Sequence, residues 1–201
     1  MSRLNFIDLF AGCGGLSEGF YQEGYSALAH IEIDHFACET LRARMEYYGY
    51  SDADEAVLEE DITQAQIVDK IKRVIKDKKV DIIIGGPTCQ SFSSAGRAKD
   101  GNGMRDDPRN YLFESYVKIL NSFMPKLFVF ENVTGLLTAR PQGKRIIETI
   151  LKKLGENYKV LGNPDMAVFN TVNFGVPQIR KRVILIGVRK DLPFDILEVY
   201  K

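Results

Sequence analysis

Val80-Asp-Ile-Ile-Ile-Gly-Gly-Pro-Thr-Cys-Gln-Ser-Phe-Ser93 begins as a short apolar run and stops abruptly in glycine and proline. Val80 to Ile84 is rich in β-branched residues and lies between Lys78-Lys79 and Gly85-Gly86-Pro87, the pattern of a buried strand that ends in a turn. Cys89 therefore sits just past a strand end. In an open α/β sheet that edge is where ligands bind and chemistry is done. A lone cysteine there can also be no more than a small buried hydrophobe, so its neighbours in the sheet must decide between the two.

Upstream, Asn5 to Phe10 is a second apolar strand, followed by Ala11-Gly-Cys-Gly-Gly15 and by helical spacing from Leu16 to Glu23. Strand, glycine loop and helix open a nucleotide-type βαβ unit, in which glycines let the backbone approach a ligand and adopt positive φ. Ser17 stands where a dinucleotide pattern would place its third glycine, which argues against a pyrophosphate. The strand Ser26 to Ile33 carries Glu32 roughly twenty residues after the first loop glycine, where an acid can bind ribose hydroxyls. Together these features suggest an adenosine-like cofactor without a diphosphate. Asp34 is placed to cap a helix from Phe36 to Tyr48, with Phe36, Leu41 and Met45 expected in the core. After a loop at 49–56, Val57-Leu58 reads as a short strand and Ala65 to Asp77 as an amphipathic helix with Ile67, Ile71 and Ile75 inward. Asp61 is placed either to cap that helix or to accept a hydrogen bond from an adenine amino group. The lysines and Arg73 between 70 and 79 read as a solvated face.

Downstream of Cys89, Ser91 to Asp107 is a long polar loop with glycines and basic residues, of a kind that in compact domains is functional or disordered. A helix follows from Tyr111 to Phe123, and the strand Leu127 to Phe130 delivers Glu131-Asn132-Val133 to the same edge as Cys89. A carboxylate there needs a partner or a raised pKa; Glu131 is a candidate acid or a structural carboxylate bonded to backbone amides. A helix from Ile146 to Leu154, strands at 158–161 and 167–172, the turn Asn173-Phe-Gly-Val-Pro177 and a strand Val183 to Val188 complete the chain. Strand alternation through 178–182 would put Gln178, Arg180 and Arg182 on one face. Such groups bond something specific at a site, or else form a charged edge that resists strand pairing.

At 201 residues and 45% hydrophobic, the chain is long enough for one sizeable core. Lys+Arg 27 balances Asp+Glu 27, so global charge neither favours nor excludes nucleic acid, and a basic surface must be local. Three separated cysteines make neither a disulfide framework nor a metal motif, and no apolar run approaches a membrane span. A cytoplasmic or nucleoid-associated protein without membrane or metal is expected.

In order, Asp8-Leu-Phe-Ala-Gly-Cys-Gly-Gly15, Glu32, Asp61-Ile-Thr-Gln64, Gly85-Gly-Pro-Thr-Cys-Gln-Ser-Phe-Ser93, Asp107-Pro-Arg-Asn-Tyr-Leu-Phe113, Glu131-Asn-Val133 and Gln178-Ile-Arg-Lys-Arg182 resemble the C5-cytosine DNA methyltransferase family. The resemblance implies a doubly wound, mostly parallel α/β sheet with an antiparallel last hairpin, S-adenosylmethionine as cofactor and double-stranded DNA as substrate, in a restriction-modification context. Phe10, Glu32, Ile33, Asp61, Ile62 and Leu112 match positions that hold the adenosine part, with Gly12 and Gly14 beneath the methionine; this favours cofactor contact for Asp61. Cys89 matches the thiol that adds to carbon 6 of a flipped cytosine, Glu131 the group at ring N3 and Arg182 the group at O2. Arg180 would support thiol and ring, and Gln178 would position them. Ser91 to Asp107 matches a loop that closes over the base.

The resemblance breaks in two places. Thr88 stands where the family has proline before the cysteine, which restores an N–H and frees φ. In the family a target-recognition domain and a returning helix follow the Gln-x-Arg-x-Arg strand, whereas this sequence ends at Lys201. Residues 1–201 are thus expected to be one catalytic and cofactor-binding domain, completed by a second chain or belonging to a truncated or degenerate copy. A transfer-RNA cytosine methyltransferase and a non-catalytic subunit are the alternatives.

Overall fold

Buried β-branched runs alternate with amphipathic helices along the chain, which is the pattern of an α/β fold. The structure is a computed structural model and describes residues 3–76, 78–88, 111–141 and 143–200. Cys89 and the segment Ser91 to Asp107 lie outside the described residues. Two compact units are distinguished: Met1–Gly86 with Lys118–Phe128, and Pro87–Val117 with Val129–Lys201.

In the first unit, β1 (Asn5–Leu9), α1 (Ser17–Gln22), β2 (Ser26–Glu32), α2 (His35–Tyr47), α3 (Ala53–Ala56), β3 (Val57–Glu59), α4 (Ile67–Ile75) and β4 (Ile82–Gly85) follow one another. The strand order is β3-β2-β1-β4 and every pairing is parallel. Phe6, Ile7, Leu9, Ala29, Ile31, Ile83 and Ile84 are fully buried, as expected of parallel strands covered on both faces. Burial of each large side chain contributes about 1.5–3 kcal/mol. Gly85 is required by close approach, since a Cβ there would lie 2.4 Å from the Leu9 carbonyl oxygen of the neighbouring strand. Ile67, Ile71 and Ile75 of α4 point inward, whereas Lys72, Arg73, Lys76, Lys78 and Lys79 are exposed.

Three expectations are corrected here. Phe36 is 80% exposed, because α2 begins at His35 and turns Ala37, Cys38, Leu41 and Met45 inward. At 3.6 residues per turn, position 36 lies about 140° from Leu41 and about 180° from Met45. The stretch 49–56 is not all loop, since α3 occupies Ala53–Ala56. Helix α4 starts at Ile67 rather than Ala65, so Asp61 does not cap it; its Oδ1 instead accepts from the Thr63 N–H and hydroxyl, both at 2.8 Å, in a local turn. The cap expected at Asp34 is present, with Oδ1 accepting from the Ala37 N–H at 2.8 Å.

Helix α5 (Leu112–Phe123) and β5 (Leu127–Val133) each contribute residues to both units. The second unit adds α6 (Ile146–Leu154), β6 (Tyr158–Lys159), β7 (Val168–Asn170) and β8 (Lys181–Arg189). Within it the order is β5-β8-β6, and both β6 and β7 pair antiparallel with β8. The β7–β8 pair is the last hairpin that the resemblance implied. β7 pairs with residues 181–183 of β8 and β6 with 188–189, and Tyr200 serves the stretch between them: its hydroxyl accepts from the Ile186 N–H at 2.6 Å and donates to the Ile184 carbonyl at 3.1 Å. Among the described residues no helix is long and apolar enough to cross a membrane.

Candidate active site

In the first unit the turn after β1 is shaped by three residues in the left-handed region: Phe10 (φ 59°), Gly12 (φ 53°) and Gly14 (φ 80°). Glycine takes this conformation freely, but an aromatic residue does not, so Phe10 holds about 1–2 kcal/mol of local strain. Glu32, at the end of β2, ties the turn down. Its Oε2 accepts from the Gly12 N–H at 2.7 Å, and its Oε1 accepts from the N–H groups of Ile33 and Asp34 at 2.8 and 2.9 Å. Beneath the loop, Asp8 and His30 are neighbours in the sheet register, both buried, with Oδ2 and Nδ1 3.8 Å apart. The His30 Nε2 meets the Tyr21 hydroxyl at 2.7 Å, and burial pushes the Tyr21 phenol up so that it stays protonated. Behind the loop, Glu18 of α1 accepts from Tyr48 at 2.6 Å and pairs with Arg44 of α2. The Tyr48, Arg44 and Gln22 hydrogen bonds hold the Glu18 carboxyl down at about 2. Ile33 is 66% exposed at the strand end beside Glu32.

In the second unit β5 alternates, with Phe128, Phe130 and Asn132 buried and Val129, Glu131 and Val133 half-buried between them. Glu131 meets Arg182 of β8, whose Nε lies 2.8 Å from Oε1. The carboxylate at the strand end therefore has its partner, in a charge-assisted contact that fixes both side chains. Asn132 donates from Nδ2 to the Pro87 carbonyl at 3.0 Å. Gln178 and Arg180 precede β8 rather than lying on it, and both are exposed, so the expected alternation holds only from Lys181 onward. Their backbone is nevertheless tied: Thr171 N–H donates to the Arg180 carbonyl at 3.0 Å, and the Thr171 hydroxyl donates to the Gln178 carbonyl. Around them Phe174 and Ile179 are 66% and 83% exposed.

The model of the family described as C-5 cytosine-specific DNA methylase matches residues 4–201. The chain belongs to this family. Among curated relatives, the Type II methyltransferase M1.HphI of Haemophilus parahaemolyticus is 42% identical over 189 residues, which cover 94% of this chain and 46% of that protein. The Type II methyltransferase M.AquIA of Picosynechococcus is 36% identical over 199 residues, covering 96% of this chain and 75% of the relative. A crystal structure described as a DNA modification methyltransferase encoded within an E. coli prophage superposes with a TM-score of 0.72 at 31% identity, over 96% of this chain and 49% of the other. The chain thus spans about half the length of M1.HphI and of the prophage protein. The fold class expected from the sequence is also that of this methyltransferase structure.

Of the residues singled out in the sequence, Phe10, Gly12, Gly14, Glu32, Ile33, Asp61 and Ile62 all belong to the first unit. Gly12 and Glu32 are in direct contact, and Ile62 is buried. Leu112 begins α5 in the second unit, as a half-buried residue. Glu131 and Arg182 are brought together there, whereas the side chains of Gln178 and Arg180 face solvent. The donor set of the first unit suits the methyl donor on which methyltransferases draw. A turn with backbone open at Gly12, a carboxylate beside it and an exposed apolar Ile33 offer polar groups to a ribose and an apolar face to a base. Among the described residues no cluster of three or more His, Cys, Asp or Glu could hold a metal ion. Sequence reasoning placed Asn132 at the edge without giving it a role, and did not single out His30 or Arg44. Of these only Asn132 carried a signal, as a polar residue continuing the Phe128–Phe130 row.

Proposed function

We propose that the chain is the catalytic and cofactor-binding part of a DNA (cytosine-5-)-methyltransferase of a restriction-modification system, acting on double-stranded DNA with S-adenosylmethionine. The observation that carries this reading is the Glu131–Arg182 pair, 2.8 Å apart on two neighbouring strands of a chain that matches the family from residue 4 to 201. Carbon 5 of cytosine is a weak nucleophile. A thiolate added to carbon 6 turns the ring into an enamine that reacts at carbon 5. Cys89 supplies that thiolate, and a free thiol needs cationic neighbours to ionise near neutral pH. Glu131 bonds ring N3 and draws electrons from carbon 6, Arg182 holds O2, Arg180 supports thiol and ring, and Gln178 positions them. The cofactor, when bound, supplies the methyl group as a sulfonium electrophile. Loss of the carbon 5 proton then expels Cys89 and restores the ring. Phe10, Ile33, Asp61, Ile62 and Leu112 hold the adenosine, Glu32 takes the ribose hydroxyls, and Gly12 and Gly14 give room to the methionine. The target base must leave the duplex, at a cost of a few kcal/mol.

The portion that reads DNA sequence is supplied by a further part of the protein or by a second chain, which covers Phe174 and Ile179. Their exposure and the greater length of the relatives support this. The test is transfer of tritiated methyl to DNA and to transfer RNA, with this chain alone and with the completing portion. Label is expected in DNA as 5-methylcytosine, lost in Cys89→Ser; label confined to transfer RNA, or none with any completing portion, rejects the proposal. Binding of S-adenosylhomocysteine is checked separately, and Glu32→Ala is expected to weaken it at least about tenfold, the loss of a charge-assisted contact.

A further inference from the structure

Helix α2 turns Ala37, Cys38, Leu41 and Met45 into the core of the first unit. On its outer side Phe36, Thr40, Ala43 and Tyr47 recur at steps of four, three and four residues, which places them on one line along the helix. All four are exposed, Phe36 by 80% and Tyr47 by 85%. Core packing explains neither ring, and two nearly bare aromatics on one helix face mark a surface that another surface covers.

This face carries both a knob and a hole. Phe36 is the knob, an exposed ring in the first turn whose centroid lies 5.5 Å from that of His35 in an edge-on contact. Thr40, Ala43, Arg44 and Tyr47 stand at i, i+3, i+4 and i+7, the four positions that make the hole for a knob from a facing helix. Together with Glu18 and Tyr48 they line an open cavity of about 320 Å³. Ala43 leaves room at its floor, Tyr47 and Tyr48 give it aromatic walls, and Arg44, paired with Glu18, offers a cation to a ring face.

Knob and hole on one helix make the surface complementary to itself. Two copies can each seat Phe36 between Ala43 and Arg44 of the other only if the helices run antiparallel, with the two-fold axis passing between Glu39 and Thr40. The same operation sets the charges. At about 100° per residue, His35 and Glu46 lie about 100° and 80° to the same side of Phe36, so His35 of one copy comes beside Glu46 of the other. The Nδ1 of His35 is 3.1 Å from Glu59, whose hydrogen bond raises the imidazole pKa, and in the protonated ring Nε2 donates as well. Each of these charges also meets the end of the facing helix dipole that is opposite in sign. Glu39 approaches its own copy near the axis, where Arg42, 2.6 Å away, offsets the repulsion.

We propose that the outer face of α2 is a self-association surface, on which two copies of this chain pair antiparallel with Phe36 of each seated in the hole of the other. The proposal stands on the first unit alone and does not depend on methyl transfer. Four aromatic side chains that bury about 150–250 Å² each make a contact below the usual size of stable interfaces, roughly 1,200–2,000 Å². The dimer is therefore weak, with a dissociation constant above about 1 μM.

Sedimentation equilibrium of this chain, from about 1 μM to 1 mM, is expected to show a monomer–dimer equilibrium. Phe36→Ser removes the knob and Ala43→Gln fills the hole, and each is expected to raise the dissociation constant at least about tenfold while leaving unfolding unchanged, since both sites are exposed. Glu46→Lys is expected to weaken the dimer about threefold, and His35→Glu added to it to restore the affinity. Within one copy these two positions are roughly 16 Å apart along the helix, beyond the screening length of about 8 Å, so restoration reports a contact between copies. A chain that stays monomeric over the whole range overturns the proposal. So does a dimer indifferent to Phe36→Ser, or a charge exchange that restores nothing. A monomeric chain in which Phe36→Ser weakens methyl transfer with the completing portion also overturns it, and assigns the face to that portion.

Discussion

The glycine turn of the first unit and the 171–182 segment of the second, proposed above to serve cofactor and base respectively, are held in different ways. Around the turn, side chains bond backbone: Glu32 accepts three N–H groups, and Glu18 joins α1 to Arg44 and Tyr48 of α2 and beyond. In 171–182 the Thr171 N–H and hydroxyl tie the backbone to the Arg180 and Gln178 carbonyls, while the side chains of Gln178, Ile179 and Arg180 face solvent. The first region is organised by its own chain. The second has a set backbone but an open side-chain surface, the condition of a site that another surface finishes.

The sharpest way to break the first region is Gly85→Ala. The new Cβ would lie 2.4 Å from the Leu9 backbone oxygen, where no flexible side chain can yield, so β1 and β4 must separate. A loss above about 3 kcal/mol is expected in denaturant unfolding, the upper range for overpacking. A loss below 1 kcal/mol would mean that the two strands shift freely. In the second region Tyr200→Phe removes the hydroxyl that serves both the Ile186 N–H and the Ile184 carbonyl of β8. About 1–3 kcal/mol should be lost, since both backbone groups lose their partner. Hydrogen exchange of the Ile186 amide should rise with it, and an unchanged exchange rate would show that another group serves this edge.

Much of the first region was legible in the sequence because its signals are local. Val80 to Ile84 and Asn5 to Phe10 announce buried strands by composition, the glycines announce a turn, and Asp34 announces a cap. Phe36 was misplaced because hydrophobicity was weighed without the phase of α2, in which Ala37 and Cys38 take the inward positions. Gln178 and Arg180 were placed on a strand because period-two alternation continues in the sequence past the point where β8 begins, at Lys181. The Pro87–Asn132 and Tyr200–β8 contacts join residues far apart in sequence through backbone atoms, which carry no residue-type signal. Cys38 illustrates the core-hydrophobe side of the choice posed for Cys89: burial pushes its thiol up to about 11.

Acid titration probes the first region more gently. Glu18 is held at about 2 against an ordinary 4.5, mainly by the Tyr48, Arg44 and Gln22 hydrogen bonds. A carboxyl lowered in the folded state stabilises it above its unfolded value and loses that contribution as pH falls from about 4.5 towards 2. Glu18→Gln should therefore flatten the fall of the melting temperature over that interval while changing the slope little above it. A parallel acid limb in the variant would mean that other carboxylates set it.

The smallest expected effect on stability is the most informative about the second region. Ile179 is 83% exposed and Phe174 66%, so Ile179→Ser and Phe174→Ser remove little buried area and should shift unfolding of this chain by no more than about 0.5 kcal/mol. If a further surface covers them, the same two substitutions should weaken methyl transfer with the completing portion, because apolar area that each would bury is lost at roughly 25 cal/mol per Å². The effect should appear as a higher concentration of that portion needed for half-maximal rate when it is supplied as a separate chain, with kcat at saturation retained. A fall in saturated kcat without a change in that concentration would instead place Ile179 or Phe174 at the reacting base. Loss of stability in the isolated chain would mean that the segment supports its own fold, and the contrast between a self-organised turn and an open surface would fail.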